Sequence, residues 1–416
     1  MSLAVALFIY YCPYCFKKVY TYEKGYSVEA AFDFLMQIVQ ENKMRKRALE
    51  RAVRDAVMKR DREANDFLQE CFAPVPRTSS YTFCTNDITD AQLGGGKSGA
   101  KVFRGFYKGK AAILKLYAPR DKNDIFQMSN KTPAEKADLY RGSTKGDSSL
   151  TFIRSIRDIY LSILLQDLSL RGESLTATLY SYGIQSKKKK SKKKKSKKTG
   201  RDEIVFVPYI ILSDINKGEG YEELLKYDYS DKSKYSNLKL LLRMIEALQI
   251  FNMSIVYKNK SIGCHRDFHP GNCFLKEAGG DFFIKFIDFD LSITDRDELT
   301  RDKKCDRRTL SKTFIQKQLG QWNRTLGEYT RKILPQTSIF AGTVAEDDAD
   351  LYMFSIYLSE FLQETEALSN IKVAIANMKK QFPIKKMAFI ELLITLLTTE
   401  VKRSTFQQRP QQRLKY

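Results

Sequence analysis

The stretch Cys264–Asp290, CHRDFHPGNCFLKEAGGDFFIKFIDFD, holds both histidines of the 416-residue chain. It also holds Asp267, Asn272 and Asp288. The apolar run from Phe282 to Ile287 predicts a buried strand, which delivers Asp288 to its end. Side chains that can bind metal or accept a proton are therefore concentrated in one segment.

These residue types suit phosphoryl transfer. That reaction needs a carboxylate to orient the acceptor hydroxyl and hard oxygen ligands for the magnesium on the nucleotide. Asp267 can supply the carboxylate, and Asn272 with Asp288 can supply the metal ligands. The segment therefore predicts a phosphotransferase site that uses ATP and Mg²⁺.

The spacing of these residues is similar to that of two protein-kinase motifs. His265–Asp267 followed by Asn272 resembles the catalytic loop H-R-D-x-x-x-x-N, and Asp288–Phe289 resembles the start of D-F-G. Asp290 stands where the kinase motif has glycine. The resemblance implies an α+β, two-lobed protein-kinase-like fold, with an antiparallel β N-lobe and a mainly helical C-lobe.

Two features resemble small-molecule kinases instead. His269 stands where serine/threonine kinases carry a lysine, and His269–Asn272 (HPGN) is similar to aminoglycoside phosphotransferases and choline-kinase-like relatives. Asp290 points to the same relatives. His269 either replaces the lysine charge in catalysis or braces the loop, and we favour bracing because both ring nitrogens of imidazole can form hydrogen bonds.

The glycine-rich segment Leu93–Gly99 (LGGGKSG) has two interpretations. With Ala91 at the first glycine position it resembles a P-loop, which requires a buried strand before it and a helix after it. The preceding residues are polar. Lys101–Tyr117 alternates like strands with turn signals at Gly105 and Gly109, and this context argues against the P-loop.

The alternative is the glycine-rich hairpin of kinases, whose backbone lies close over the phosphates. Gly94, Gly96 and Gly99 fit its G-x-G-x-x-G pattern, although the expected valine comes one residue late, at Val102. The resemblance makes these glycines nucleotide-binding residues.

Ala112–Lys115 (AILK) resembles the kinase strand whose lysine holds the α- and β-phosphates. A buried lysine needs a carboxylate partner. A helix predicted over Phe152–Leu170 offers Asp158, which is one methylene shorter than the usual glutamate, and Glu135 is the alternative partner. The resemblance thus makes Lys115 catalytic and nucleotide-binding, with Asp158 beside it.

The resemblance to kinases extends towards the C-terminus. Ile211–Lys217 corresponds to the hinge, Asp350–Leu362 to the central C-lobe helix, and Leu396–Thr405 to a late C-lobe segment. Arg266 could clamp a phosphorylated loop. Ala345–Glu346 is a partial match to A-P-E and lies closer to the central helix than that motif does in typical kinases.

Three units are expected along the chain. Residues 1–76 form an N-terminal extension that is mainly helical, since apolar residues recur at helical spacing from Ser27 to Cys71. Residues 77–214 form the N-lobe, with a lysine-rich insertion at 186–201, and residues 215–416 form the C-lobe.

The insertion contains ten lysines within Lys187–Lys198, in a chain whose net charge is +22. Such a run cannot fold on itself and predicts a solvated loop. It is either a solubilising segment, a signal for the nuclear import machinery, or a tether to an anionic surface, and the sequence does not choose among them.

Seven irregularly spaced cysteines do not indicate a disulfide framework and favour an intracellular protein, in cytoplasm or nucleus. Cys12 and Cys15 form a C-x-x-C that Cys71 and Cys84 could complete as a zinc site; ordinary thiols are the simpler interpretation. The apolar start, Ser2–Tyr11, is too short to span a bilayer, so no transmembrane segment is expected.

The C-terminal resemblance favours a protein Ser/Thr hydroxyl as acceptor, and therefore a protein substrate. A small-molecule kinase is the alternative. A pseudokinase scaffold is the third hypothesis, and the presence of Lys115, Asp267, Asn272 and Asp288 argues against it.

Overall fold

The computed structural model describes most of the chain between residues 28 and 408. The described ranges are 28–73, 75–85, 92–95, 100–117, 120–121, 148–189, 203–257, 259–294, 348–363, 365–379 and 386–408. Several predictions lie outside them: those for Cys12, Cys15, Gly96, Gly99, Glu135, Ala345–Glu346 and most of the lysine-rich insertion.

The architecture is α+β, with antiparallel sheets and, among the described residues, six α-helices. The helices are α1 (Val28–Phe72), α2 (Ser148–Leu164), α3 (Lys234–Ser254), α4 (Ala349–Leu362), α5 (Glu366–Lys379) and α6 (Lys386–Gln408). Two single 3₁₀ turns cover Leu224–Lys226 and Phe289–Leu291.

The largest sheet has six antiparallel strands. They are β1 (Gln92–Gly95), β2 (Lys101–Tyr107), β3 (Lys110–Leu116), β4 (Arg120–Asp121), β7 (Leu179–Lys189) and β8 (Glu203–Ser213). β8 is central, since it pairs with β7 on one edge and with β3 and β4 on the other. Its run EIVFVPYIILS has the apolar character of a strand covered on both faces.

The remaining strands are short or lie near the predicted catalytic segment. They are β5 (Ser169–Leu170), β6 (Glu173–Ser174), β9 (Glu222–Glu223), β10 (Val256–Tyr257), β11 (Lys260–Ser261), β12 (Cys273–Ala278) and β13 (Asp281–Phe286). β12 and β13 form a hairpin whose turn is Gly279–Gly280, where positive φ angles of 60° and 70° favour glycine. The predicted strand before Asp288 is therefore present.

One large apolar cluster joins all six described α-helices to one face of the six-stranded sheet. A smaller cluster, Ala112, Leu114, Tyr209 and Ile211, covers the opposite face. Because strand side chains alternate between faces, Lys115 and Tyr117 point to the side of the large cluster. The sheet thus directs Lys115 towards the helices and away from the smaller cluster.

The prediction of a helix over Phe152–Leu170 was wrong at both ends. Helix α2 begins earlier, at Ser148, and ends at Leu164. The following residues form a hairpin of β5 and β6, turned by Arg171 and Gly172 with φ angles of 55° and 85°. Pairing of these strands prevails over the helical spacing of the apolar residues.

Two other local predictions need correction. Gly105 is not a turn residue but lies within β2, where a Cβ atom would overlap the carbonyl oxygen of Cys84. Its role is to allow close backbone approach. The residues Thr176–Ile184 predict a strand, but β7 begins only at Leu179, and Thr176 makes an isolated parallel bridge to Phe286.

None of the described helices combines the length and the apolar character needed to cross a membrane. The four cysteines within the described ranges, Cys71, Cys84, Cys264 and Cys273, are free thiols. Cys71, Cys264 and Cys273 are buried, and burial raises the pKa of each thiol.

Candidate active site

Lys115 lies between two carboxylates from distant parts of the chain. Its Nζ atom is 2.9 Å from Asp158 Oδ2 on α2 and 2.8 Å from Asp288 Oδ1 after β13. The Asp158 side chain is 2% exposed and the Lys115 side chain 13%. The expected pairing of Lys115 with Asp158 is therefore present, and Asp288 joins it.

The positive charge of Lys115 and the negative charges of Asp158 and Asp288 stabilise one another. Burial disfavours the Lys115 ammonium, but the charges of Asp158 and Asp288 outweigh that effect and hold the pKa of Lys115 above its usual value. Burial also disfavours ionised Asp288, yet Lys115 lowers the pKa of that carboxyl. Lys115 and Asp288 therefore form an ion pair across the site at neutral pH.

Asp288 sits in an uncommon backbone conformation. Its φ and ψ angles are 66° and 69°, in the left-handed region that Asp and Asn tolerate better than other side chains with a Cβ. This bend follows directly after β13 and turns the carboxylate towards Lys115. An aspartate at this position tolerates the left-handed backbone and also supplies the negative charge that pairs with Lys115.

Asp290 is 7% exposed and lies close behind Asp288. Burial, together with the negative charges of Asp288 and Asp158, raises the pKa of Asp290 well above its usual value. The backbone carbonyl of Asp290 accepts a hydrogen bond of 2.9 Å from Arg157 Nη1 on α2. Arg157 thus links α2 to this loop through the backbone of residue 290.

Asp267 and Asn272 are paired at the entrance to β12. Asn272 Nδ2 donates to the Asp267 carboxylate and to its backbone carbonyl, each at 3.1 Å. The backbone N–H of Ile287 also donates to the Asn272 carbonyl, at 3.1 Å. Asn272 and Asp288 are thus brought to the same end of the β12–β13 hairpin.

Asp350, near the start of α4, anchors the loop that carries Asp267. The backbone N–H groups of His265 and Arg266 donate to its two carboxylate oxygens at 2.6 and 2.8 Å. Arg266 has a φ angle of 64°, so the loop is bent at that residue. His265 is fully buried, and its Nε2 lies 2.9 Å from the Ile287 carbonyl, which ties the loop to the residue after β13.

His269 contributes to the shape of the same loop. Its Nδ1 accepts a hydrogen bond of 3.0 Å from the backbone N–H of Gly271, and its Nε2 is 3.7 Å from Asp267 Oδ2. A Cβ on Gly271 would lie 3.0 Å from the imidazole ring. The HPGN segment therefore folds around the histidine ring.

The glycine-rich segment is described only in part. Gly94 lies in β1 and pairs with Val102 of β2, and the two strands are antiparallel. The segment is followed by a strand, as expected for a hairpin, whereas a P-loop requires a helix there. This arrangement disfavours the P-loop interpretation.

The turn after β8 stands where the hinge was expected. Asp214 accepts from the backbone N–H groups of Asn216 and Lys217 at 3.2 and 3.1 Å, and from Arg104 Nε at 2.6 Å. The backbone N–H of Asp214 donates to the Ala111 carbonyl at 3.1 Å. The turn is therefore tied to both β2 and β3.

The donor atoms at the hairpin end fit a magnesium ion. Asn272 directs its amide nitrogen to Asp267, so its amide oxygen is the atom suited to a cation. Asp288 adds a carboxylate. Carboxylate and amide oxygens are the hard ligands that Mg²⁺ prefers, commonly together with substrate phosphates.

A second group of possible metal ligands consists of Cys264, Asp348 and Asp350. Its carboxylates already have partners: Lys386 Nζ is 2.5 Å from Asp348, and Asp350 accepts from the loop backbone. These contacts give the group a structural role.

The sequence did not indicate two residues of this site. Tyr117 donates a hydrogen bond of 2.5 Å from its hydroxyl to Asp158 Oδ2, and strand alternation from Lys115 was the only available signal. Asp350 was assigned to a helix, but nothing near it in sequence predicts that it binds a loop 84 residues away.

No protein-family model matches the chain, and no curated protein matches it.

Proposed function

We propose that the chain is an ATP-dependent phosphotransferase with a two-lobed, protein-kinase-like fold, which transfers the γ-phosphate to a protein Ser/Thr hydroxyl. One observation carries the proposal: the Lys115 ammonium lies within 3 Å of the carboxylates of both Asp158 and Asp288, and the three residues come from three separate elements. Structural ion pairs are common, but here the group lies beside a second pair, Asp267 with Asn272.

The residues then have distinct tasks. Lys115 binds phosphate oxygens, and Asp158 holds its ammonium in place. Asn272 and Asp288 would hold Mg²⁺, which would neutralise charge on the transferred phosphoryl group. Asp267 accepts or orients the proton of the acceptor hydroxyl, and its bond to Asn272 couples the acceptor position to the metal ligands.

A small-molecule acceptor is the second candidate, and the His269 contact favours it. The imidazole accepts a backbone hydrogen bond within its own loop, which is a bracing role rather than that of a free positive charge. Bracing is what the HPGN resemblance to small-molecule kinases implies. The helices α4, α5 and α6 support the protein-acceptor alternative.

The test uses the full chain with radiolabelled ATP and Mg²⁺, offered separately to a mixture of proteins and to a pool of small metabolites. We expect label on protein. Label found only in the metabolite pool would favour the second candidate, a small-molecule kinase. Tight ATP binding with no transfer in either arm would favour the pseudokinase scaffold.

The matched variants are Asp288→Asn and Asp167→Asn. Asparagine tolerates the left-handed backbone of residue 288, so Asp288→Asn removes the charge without the strain that alanine would add. We expect transfer to fall roughly a hundredfold or more, because metal binding supplies several kcal/mol of transition-state stabilisation.

Asp167→Asn is the control, since Asp167 binds Arg60 on α1 at 2.9 Å and lies outside the proposed site. It should retain transfer close to the unmodified chain. Full activity of Asp288→Asn, or transfer that persists when a chelator removes divalent cations, would overturn the proposal.

A further inference from the structure

Three donors from three elements converge on the Asp158 carboxylate. Lys115 Nζ and the Tyr117 hydroxyl both donate to Oδ2, at 2.9 and 2.5 Å. The backbone N–H of Phe289 donates to Oδ1 at 3.0 Å. One side chain thus links β3, α2 and the loop that carries Asp288.

The length of that side chain makes its placement demanding. An aspartate is one carbon–carbon bond, about 1.5 Å, shorter than the glutamate that the kinase resemblance implies. It can reach Lys115 from α2 only in a narrow range of positions. Two donors on one oxygen and a third on the other restrict the carboxylate to such a position.

Tyr117 is suited to hold it. The tyrosine is 3% exposed and lies two residues after Lys115, so both side chains leave the strand on the same face. Its backbone N–H donates to the Pro208 carbonyl at 3.1 Å, which keeps the residue in the sheet. Burial and the Asp158 charge raise the pKa of the phenol well above its usual range, so the hydroxyl remains a donor.

We propose that Tyr117 is a positioning residue, which holds the short Asp158 carboxylate so that Lys115 and the Asp288 loop are aligned for the nucleotide phosphates. This inference rests on the proposed phosphotransferase function. A glutamate at position 158 would reach Lys115 through its longer side chain, whereas Asp158 needs Tyr117 to hold its carboxylate in reach.

The decisive variants form a cycle: Tyr117→Phe, Asp158→Glu and both together. Tyr117→Phe should lower kcat roughly tenfold with little change in KM for ATP, the loss expected for one hydrogen bond to a charged group. Asp158→Glu alone should also lower kcat, because the longer carboxylate meets the Tyr117 hydroxyl. The double variant should recover kcat to within about threefold of the unmodified chain.

Tyr209→Phe is the matched control. Tyr209 is 1% exposed, its hydroxyl lies 2.9 Å from Ser79 Oγ, and it occupies the opposite face of the same sheet. It loses one buried hydroxyl, as Tyr117→Phe does, but should keep kcat. If Tyr117 had only a structural role, kcat would not recover in the double variant. Either that result or an unchanged kcat in Tyr117→Phe would overturn the proposal.

A second measurement does not depend on activity. Hydrogen exchange of the Phe289 amide, which donates to Asp158, should be faster in Tyr117→Phe than in Tyr209→Phe and should slow again in the double variant. If the unmodified chain transfers no phosphate but exchange follows this order, the proposed function fails and the positioning role stands. Equal exchange in the two single variants would overturn the positioning role itself.

Discussion

At His269 the two kinase types make opposite demands. In a serine/threonine kinase the lysine at this position places a fixed positive charge near the transferring phosphate. In this chain the ring accepts the Gly271 N–H at 3.0 Å, which a lysine cannot do. The structure thus gives His269 an acceptor's task within the loop.

Two substitutions separate these roles. Asparagine can accept a hydrogen bond from the backbone two residues on, so His269→Asn should keep activity within about tenfold of the unmodified chain. His269→Lys loses the acceptor, and misplacement of the loop should cost about a hundredfold in kcat. The measurement is kcat from pH 5.5 to 8.5, a window around the unperturbed histidine pKa of about 6.5.

The opposite ranking would have a clear meaning. If His269→Lys is active with a flat pH profile while His269→Asn is inactive, the imidazole acts through its positive charge. The bracing role would then be wrong, and the second candidate function would lose its main support.

Among the site residues, the sequence predicted those that belong to short, local motifs. Asp267, Asn272 and Asp288 lie near one another in sequence, and β12 and β13 bring them together. Lys115 and Asp158 were paired on the resemblance to the lysine strand and the following helix of kinases. Tyr117 and Asp350 were not, because their roles depend on atoms that only the folded chain brings within hydrogen-bond distance.

At the scale of elements, the long patterned helices were the easiest to predict. The helix expected over Ser27–Cys71 is α1, and the strongly periodic run Leu238–Phe251, which also predicts a helix, lies within α3. The end of α2 was missed because a hairpin at Gly172 competes with helical spacing, and only the pairing of β5 with β6 decides between them.

Helix α1 packs on the rest of the fold through its middle and its C-terminal part. Near its middle, Arg45 and Lys46 reach Glu246 on α3 and Glu391 on α6, at 2.7 and 2.5 Å. Further along, Phe67 is 6% exposed and its ring packs edge-on against Tyr182 of β7, with centroids 5.4 Å apart. The helix therefore joins the sheet to the helices beyond it.

Phe67→Ala should accordingly lower the free energy of unfolding of the whole chain by about 3 kcal/mol or more, the usual cost of removing a buried phenylalanine. The matched control is Met58→Ala on the same helix, where the side chain is 67% exposed and the change should be within about 0.5 kcal/mol. The measurement is urea unfolding followed by circular dichroism, with hydrogen exchange in α3 as a local probe.

If α1 were only appended to the body, the result would differ. Phe67→Ala would then release α1 in an early, separate transition and leave exchange in α3 unchanged. That outcome would contradict the integration of α1 into the common core.

At the scale of the molecule, buried carboxylates bind the parts together. Asp158 joins β3, α2 and the Asp288 loop, Asp350 joins α4 to the loop that carries Asp267, and Glu246 joins α3 to α1. Each has a cationic or N–H partner that offsets the cost of its burial. These buried carboxylates therefore hold together elements that are far apart in sequence.

Glu360 on α4 differs from these carboxylates in its ionisation. Burial raises the pKa of Glu360 to about 7, from 4.5 for an ordinary glutamate. Between those two pH values the folded chain keeps a proton that the unfolded chain releases. The free energy of unfolding therefore falls as pH rises through this window, and the stabilisation is fully present only below about pH 4.5.

Glu360→Gln should remove this dependence, because glutamine has nearly the same shape and no charge. Measured by urea unfolding, the variant should be more stable than the unmodified chain at pH 8 by up to about 3 kcal/mol, and within about 1 kcal/mol of it at pH 5. The comparison of the two proteins at each pH cancels the titration of other groups, including Asp290 and Asp350. A constant difference at both pH values would mean that Glu360 ionises freely in the folded state and that its burial on α4 does not affect its proton.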